Sequence, residues 1–142
     1  MGGSRRRERR VSRWRWVVSS NRQQFGRAAE QAAAAYLERR GYVVLARNQR
    51  VGRGELDIIA RHGGALVFVE VKGRRTRTCG APEEAVTPRK RQQVARLAEL
   101  WLAARPWLLR GVSEVRFDVI AVDTAAFPAQ IRHLEAAFDA GR

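Results

Sequence analysis

Apolar residues recur at helical spacing between Asn21 and Arg40, with Phe25, Ala29, Ala32, Tyr36 and Leu37 on one face. Ser20 or Asn21 offers an N-cap, and Gly41 stands where a left-handed residue would close the helix. The period then falls to two. Residues 42–48, YVVLARN, are a short β-branched run, and the loop QRVGRG leads into GELDIIARHGGALVFVEVKGR at 54–74. Gly63-Gly64 is a two-residue turn signal between two strand patterns. With that turn, His62 faces Ala65, Ile58 faces Val69, Asp57 faces Glu70 and Glu55 faces Lys72. All four charges then share one face of the hairpin, and Leu56, Ile58 and Ala60 meet Val71, Val69 and Val67 on the other. A slip of one residue would undo both faces.

Further along, GRRTRTCGAPEEAV (73–86) reads as a basic loop. Thr87-Pro88 then pairs an N-cap with proline at the first helical position. Val94, Leu97, Ala98, Trp101 and Leu102 form the apolar stripe of a helix reaching about Ala104. After the connection RPWLLRG, residues 114–122 (EVRFDVIAV) predict an internal strand, apolar on both faces apart from Arg116 and Asp118. Residues 129–138 fit either a final edge strand or a short helix. The order is α-β-β-β-α-β, with room for one more element. The expected core includes Leu37, Val43, Ile58, Val69, Leu97, Trp101, Phe117 and Val119.

A chain of 142 residues accommodates one domain with a sizeable core, taken as 21–142, behind an arm at 1–20. That arm, with seven arginines among its first 16 residues, has no usable periodicity and reads as disordered; Trp14 and Trp16 could stack on bases. No apolar run approaches the roughly 20 residues needed to span a bilayer. The single cysteine, Cys79, excludes an internal disulfide and fits a reducing cytoplasm. Charge changes the picture most. With 28 basic against 14 acidic residues, formally +14, the chain calls for a polyanionic partner, nucleic acid before membrane. Of the basic residues only Lys72 and Lys90 are lysine.

Against that background, clustered anions need a reason. Asp57 and Glu70, expected side by side, cannot both ionise cheaply without a cation between them, and an all-oxygen site suits Mg²⁺ or Mn²⁺. Glu70 and Lys72 form Glu-x-Lys on one strand face, where an ammonium can orient a water and offset developing negative charge. Glu55 reads as a solvated or Lys72-paired end residue, with metal ligation as the alternative. Arg53, Arg74, Arg75 and Arg77 flank the hairpin as candidate phosphate contacts. Arg116 and Asp118 read as an ion pair, and neither His62 nor His133 has a partner at metal-ligand spacing.

The blocks GELDIIA, LVFVEVKGR, FGRAAEQAAAAYLERRGYVVLARNQR, CGAPEEAVTPRKRQQ and VRFDVIAV resemble the YraN-like bacterial proteins, predicted endonuclease-like members of the restriction-endonuclease-like superfamily. That resemblance implies a mixed α/β sheet flanked by helices on an α-β-β-β-α-β core, and Mg²⁺-dependent hydrolysis of DNA, with branched or processed structures as candidate substrates. It matches Asp57 to the first metal-binding acid, Glu70 to the second and Lys72 to the catalytic lysine. Glu30, on the first helix, is similar to the glutamate that relatives resembling Holliday-junction resolvases add to the metal site. Lys90 or Gln93 would match the polar residue of the second helix. Leu56 stands where the superfamily often has proline. A homodimer is a further expectation, a membrane role is not, and the alternative is a non-catalytic nucleic-acid-binding or assembly module.

Overall fold

A computed structural model describes residues 26–74, except the Arg74 side chain, and 86–139. The arm, the caps at Ser20 and Asn21, Phe25, Cys79, Arg75, Arg77 and most of the basic loop lie outside the described residues. A first helix, α1, is described over 26–39, and Gly41, at φ +87°, follows its last turn as expected. Then come β1 (Val43–Val51), β2 (Gly54–His62), β3 (Ala65–Arg74), α2 (Pro88–Ala103), a 3₁₀ turn (Pro106–Leu109), β4 (Glu114–Asp123) and β5 (Gln130–Phe138). The strands form one sheet in sequence order. All neighbours are antiparallel except β3 and β4, which run parallel and are therefore joined by a long crossover through α2. The α-β-β-β-α-β order is the expected one, and the ambiguous last segment is an edge strand.

Each face of the sheet buries a separate cluster. On one side α2 contributes Val94, Ala95, Leu97, Ala98 and Trp101 against Ile59, Leu66, Phe68, Phe117 and Val119. On the other, α1 lays Ala29, Ala33, Ala34 and Leu37 over Ile58, Ala60, Val67, Val69, Ile120 and Val122. The small alanines of α1 let it sit close to the sheet, which keeps the side chains of its first turns near the strands. Thr87 caps α2 by accepting from the Lys90 N–H at 3.2 Å, with Pro88 in the first turn.

Two expectations fail for one reason, irregular strands. Val43 is 61% exposed instead of buried. It lies on an edge strand whose pairing shifts between Val44 and Ala46, so Val44, not Val43, packs on the α1 side. The hairpin keeps its predicted pairing from His62–Ala65 to Ile58–Val69, and there it ends. Asp57–Glu70 and Glu55–Lys72 are not strand pairs. Leu56 packs with Ile59 on the α2 side while Ile58 faces α1, so the alternation breaks at Asp57. On the neighbouring strand Asn48 takes φ +51°, a conformation asparagine tolerates better than most residues.

Gly54 opens β2 directly against α2. A Cβ there would run into Leu97 Cδ1. Gly54→Val should overpack this contact and cost about 1–3 kcal/mol, read as a lower urea midpoint with an unchanged slope.

Candidate metal centre

The break at Asp57 builds the site. Beyond Ile58–Val69 the β2 and β3 backbones no longer pair, and the Val71 N–H donates instead to Asp57 Oδ2 at 2.9 Å. A carboxylate thus takes the place of a strand carbonyl. From α1 comes Glu30 and from the start of β2 comes Glu55. Carboxylate oxygens of Glu30, Glu55 and Asp57 all lie within 4.8 Å of one another. Gly26, Arg27, Glu30, Asn48 and Glu55 line a cleft of about 410 Å³ on that side.

Glu70 stands apart from this trio but near it. It is only 5% exposed. Its Oε1 lies 3.6 Å from Lys72 Nζ and 3.7 Å from Lys90 Nζ, the latter carried by the first turn of α2. Lys72 therefore pairs with Glu70 on its own strand, and not with Glu55. Glu55 sits with the acids and is exposed, which agrees with its solvated reading and corrects the pairing with Lys72.

Electrostatics follow from this crowding. Burial, then the charge of Glu70, pushes the Asp57 carboxyl up to about 6, against the Val71 hydrogen bond and the two lysines. Glu30 is raised as well, by burial and then by Asp57, while a hydrogen bond with Asn48 and the charge of Arg47 oppose the rise. Asn48 and Arg47 are participants the sequence reading missed. The one available signal was an asparagine inside a β-branched run.

Gln93 is exposed on α2, and Arg53 is exposed in the turn between β1 and β2. Among the described residues neither histidine joins the acids. His62 stacks on Tyr42 with ring centroids 4.2 Å apart. His133, expected to be isolated, is not: its Nε2–H donates to Asp118 Oδ2 at 2.7 Å, and its Nδ1 lies 3.3 Å from the Tyr36 hydroxyl. The expected Arg116–Asp118 pair is present and bidentate, at 2.8 and 2.9 Å.

A raised acid destabilises the fold once ionised. Asp57 contributes its full stability below its unfolded pKa near 4, and that contribution is lost as pH rises through about 6. In EDTA, Asp57→Asn should therefore match the parent near pH 4 and exceed it by up to about 3 kcal/mol at pH 8. The asparagine keeps an oxygen for the Val71 N–H. Urea titrations at the two pH values measure the difference, and equal stability at pH 8 would contradict the burial argument.

Together these features define a mixed α/β domain with an all-oxygen cluster able to hold a metal ion, flanked by a buried glutamate and two ammonium groups. The chain belongs to the uncharacterised protein family UPF0102, whose model matches residues 29–122. A UPF0102 protein of Symbiobacterium thermophilum is 52% identical over 98 residues, spanning 69% of this chain and 80% of its own. Another, from Syntrophotalea carbinolica, is 48% identical over 122 residues, spanning 86% and 97%. A third, from Geobacter sulfurreducens, is 46% identical over 117 residues, spanning 80% and 88%. Among solved structures the chain is similar to Pyrococcus furiosus SfsA in complex with Ca²⁺, with 17% identity and a TM-score of 0.29. That match covers 83% of this chain and 63% of the SfsA chain, under two thirds of its length. No helix among the described residues is long and apolar enough to cross a membrane.

Proposed function

We propose that this chain is a metal-dependent nuclease that hydrolyses phosphodiester bonds of DNA, with branched or processed structures as its substrate class. The observation that carries the reading is the convergence of Glu30, Glu55 and Asp57 oxygens within 4.8 Å, beside buried Glu70. Four carboxylates gathered on a chain of formal charge +14 repel the phosphate such a chain attracts, unless they serve a cation. Glu30, Glu55 and Asp57 would hold Mg²⁺ or Mn²⁺, with Glu70 as the adjoining acid. These are hard oxygen donors, the set those ions prefer. Such an ion, when bound, supplies charge stabilisation on the phosphoryl oxygens and a water of lowered pKa.

The chain's own groups do the rest. The Val71 N–H fixes the Asp57 carboxylate. Lys72 orients the attacking water and offsets charge developing on the phosphorus oxygens. Arg53, Arg74, Arg75 and Arg77 are the groups assigned to neutralise backbone phosphates.

Two measurements test the reading. Calorimetry should register Mg²⁺ or Mn²⁺ binding that Asp57→Ala removes. A panel of branched, single-stranded and duplex DNA should then yield cleavage that depends on the ion. A protein that binds DNA but neither metal nor cleaves any substrate would be a binding module on this scaffold, and the nuclease reading would fall.

A further inference from the structure

Two lysines occur among 28 basic residues, and the fold brings both to one oxygen. Lys72 comes from β3 and Lys90 from α2, 18 positions apart in sequence, yet Glu70 Oε1 lies within 3.7 Å of each ammonium. In a chain that otherwise uses arginine everywhere, this coincidence asks for a reason specific to an ammonium. A guanidinium is a broad planar fork, whereas an ammonium is a compact point charge, so two ammonium groups crowd less around one buried carboxylate oxygen.

Charge balance adds a second point. Glu70, 5% exposed, requires one cation to offset its burial. Lys72 supplies it from the same strand. Lys90 also acts on Asp57, an acid that a bound metal ion would neutralise in its place, and its side chain is 35% exposed, so it can turn outward.

The sequence around Lys90 breaks a local rule. Thr87-Pro88-Arg89-Lys90 opens α2, and the N-cap hydroxyl of Thr87 accepts from the Lys90 N–H. A capping box would place Glu or Gln at this third position, and the positive end of the helix dipole favours acids there. Instead the first turn holds no acid, and Arg89, Lys90 and Arg91 follow one another. Local conflicts of this kind are tolerated where function requires them.

Resting on the nuclease reading of the site, we infer that Lys90 is a second phosphate-binding group, parked on Glu70 in the free protein and transferred to a backbone phosphate of the nucleic acid when it binds. Glu70 keeps Lys72 throughout, so the handover leaves the buried carboxylate compensated. The first turn of α2 is thereby one wall of the substrate cleft, facing β3.

The test compares Lys90→Gln, Lys90→Arg and Arg39→Gln with the parent protein. Arg39 is an exposed residue at the far end of α1 and controls for loss of one charge. A labelled DNA hairpin is titrated by fluorescence anisotropy in EDTA over a range of salt concentrations, and Mn²⁺ affinity is measured by calorimetry. Lys90→Gln should weaken hairpin binding about tenfold and flatten the slope of log affinity against log salt by about one. Lys90→Arg should restore the slope, and Arg39→Gln should leave it unchanged. If Lys90 only neutralises Glu70, the outcome reverses: Mn²⁺ affinity changes in Lys90→Gln while hairpin affinity and slope stay as in the parent. That result overturns the inference, as does an equal loss in Arg39→Gln. Because the binding arm contains no metal and reads no cleavage, it decides the role of Lys90 even if the parent cleaves nothing. Failure of cleavage alone counts only against the nuclease reading.

Discussion

Lys72→Arg should lower DNA cleavage about a hundredfold or more while leaving DNA affinity near that of the parent. The substitution conserves charge, so a protein that only binds nucleic acid would tolerate it. A guanidinium cannot occupy the space that the Lys72 ammonium shares with Lys90 beside Glu70, nor take the same position beside a water. Asp57→Ala should abolish cleavage through loss of an oxygen donor to the ion, and Glu70→Ala through loss of the carboxylate that holds Lys72 in place. In EDTA the same two variants should bind DNA as well as the parent or more tightly, because each removes a negative charge that repels phosphate. Circular dichroism and thermal melts come first, since all three positions lie in the sheet. Folded variants that cleave as the parent does would remove these residues from the reaction.

Asp118→Ala should destabilise the protein by about 3–5 kcal/mol, the range for stripping one partner from a buried charge network. Asp118 is fully buried on β4 and accepts four hydrogen bonds: two from Arg116, one from His133 and one from the Ala136 N–H. Burial alone would raise its carboxyl, but the bonds from His133, Arg116 and Ala136 together hold it below the usual carboxylate range. Hydrogen bonding to Asp118 correspondingly raises Arg116. An acid depressed in this way stabilises the fold above its unfolded pKa, near 4, and the contribution is lost as pH falls through the lower folded value. Urea midpoints should therefore separate Asp118→Ala from the parent widely at pH 7 and less at pH 3. Replacing Arg116 and Asp118 together by apolar residues should cost less than Asp118→Ala alone, because no charge is then left without its partner.

Much of this was legible in the sequence where local chemistry acts alone. Gly63-Gly64 set the turn, and alternation carried the pairing correctly as far as Ile58–Val69. Thr87-Pro88 marked the start of α2, and Gly41 the end of α1. What escaped depends on contacts between strands. The left-handed Asn48 and the broken alternation at Asp57 move Leu56 to the opposite face and bring Glu55 toward Glu30, and no period-two pattern records such a break. Val43 failed because an extra residue in an edge strand inverts its facing. His133 looked solitary because its acceptor lies 15 residues earlier, across the β4–β5 pairing. Asp57, Glu70 and Lys72 stand out in the sequence by strand spacing, and Glu30 by resemblance alone.

The hydrogen bond from the Val71 amide to Asp57 turns one backbone resonance into a spectroscopic gauge. In a regular sheet that amide would face a strand carbonyl and be insensitive to pH; here its acceptor titrates near 6. The Val71 ¹H–¹⁵N signal should shift as Asp57 is protonated, and should shift again when Mg²⁺ displaces that proton. Ion occupancy can thus be followed at a single nucleus, without substrate and without turnover.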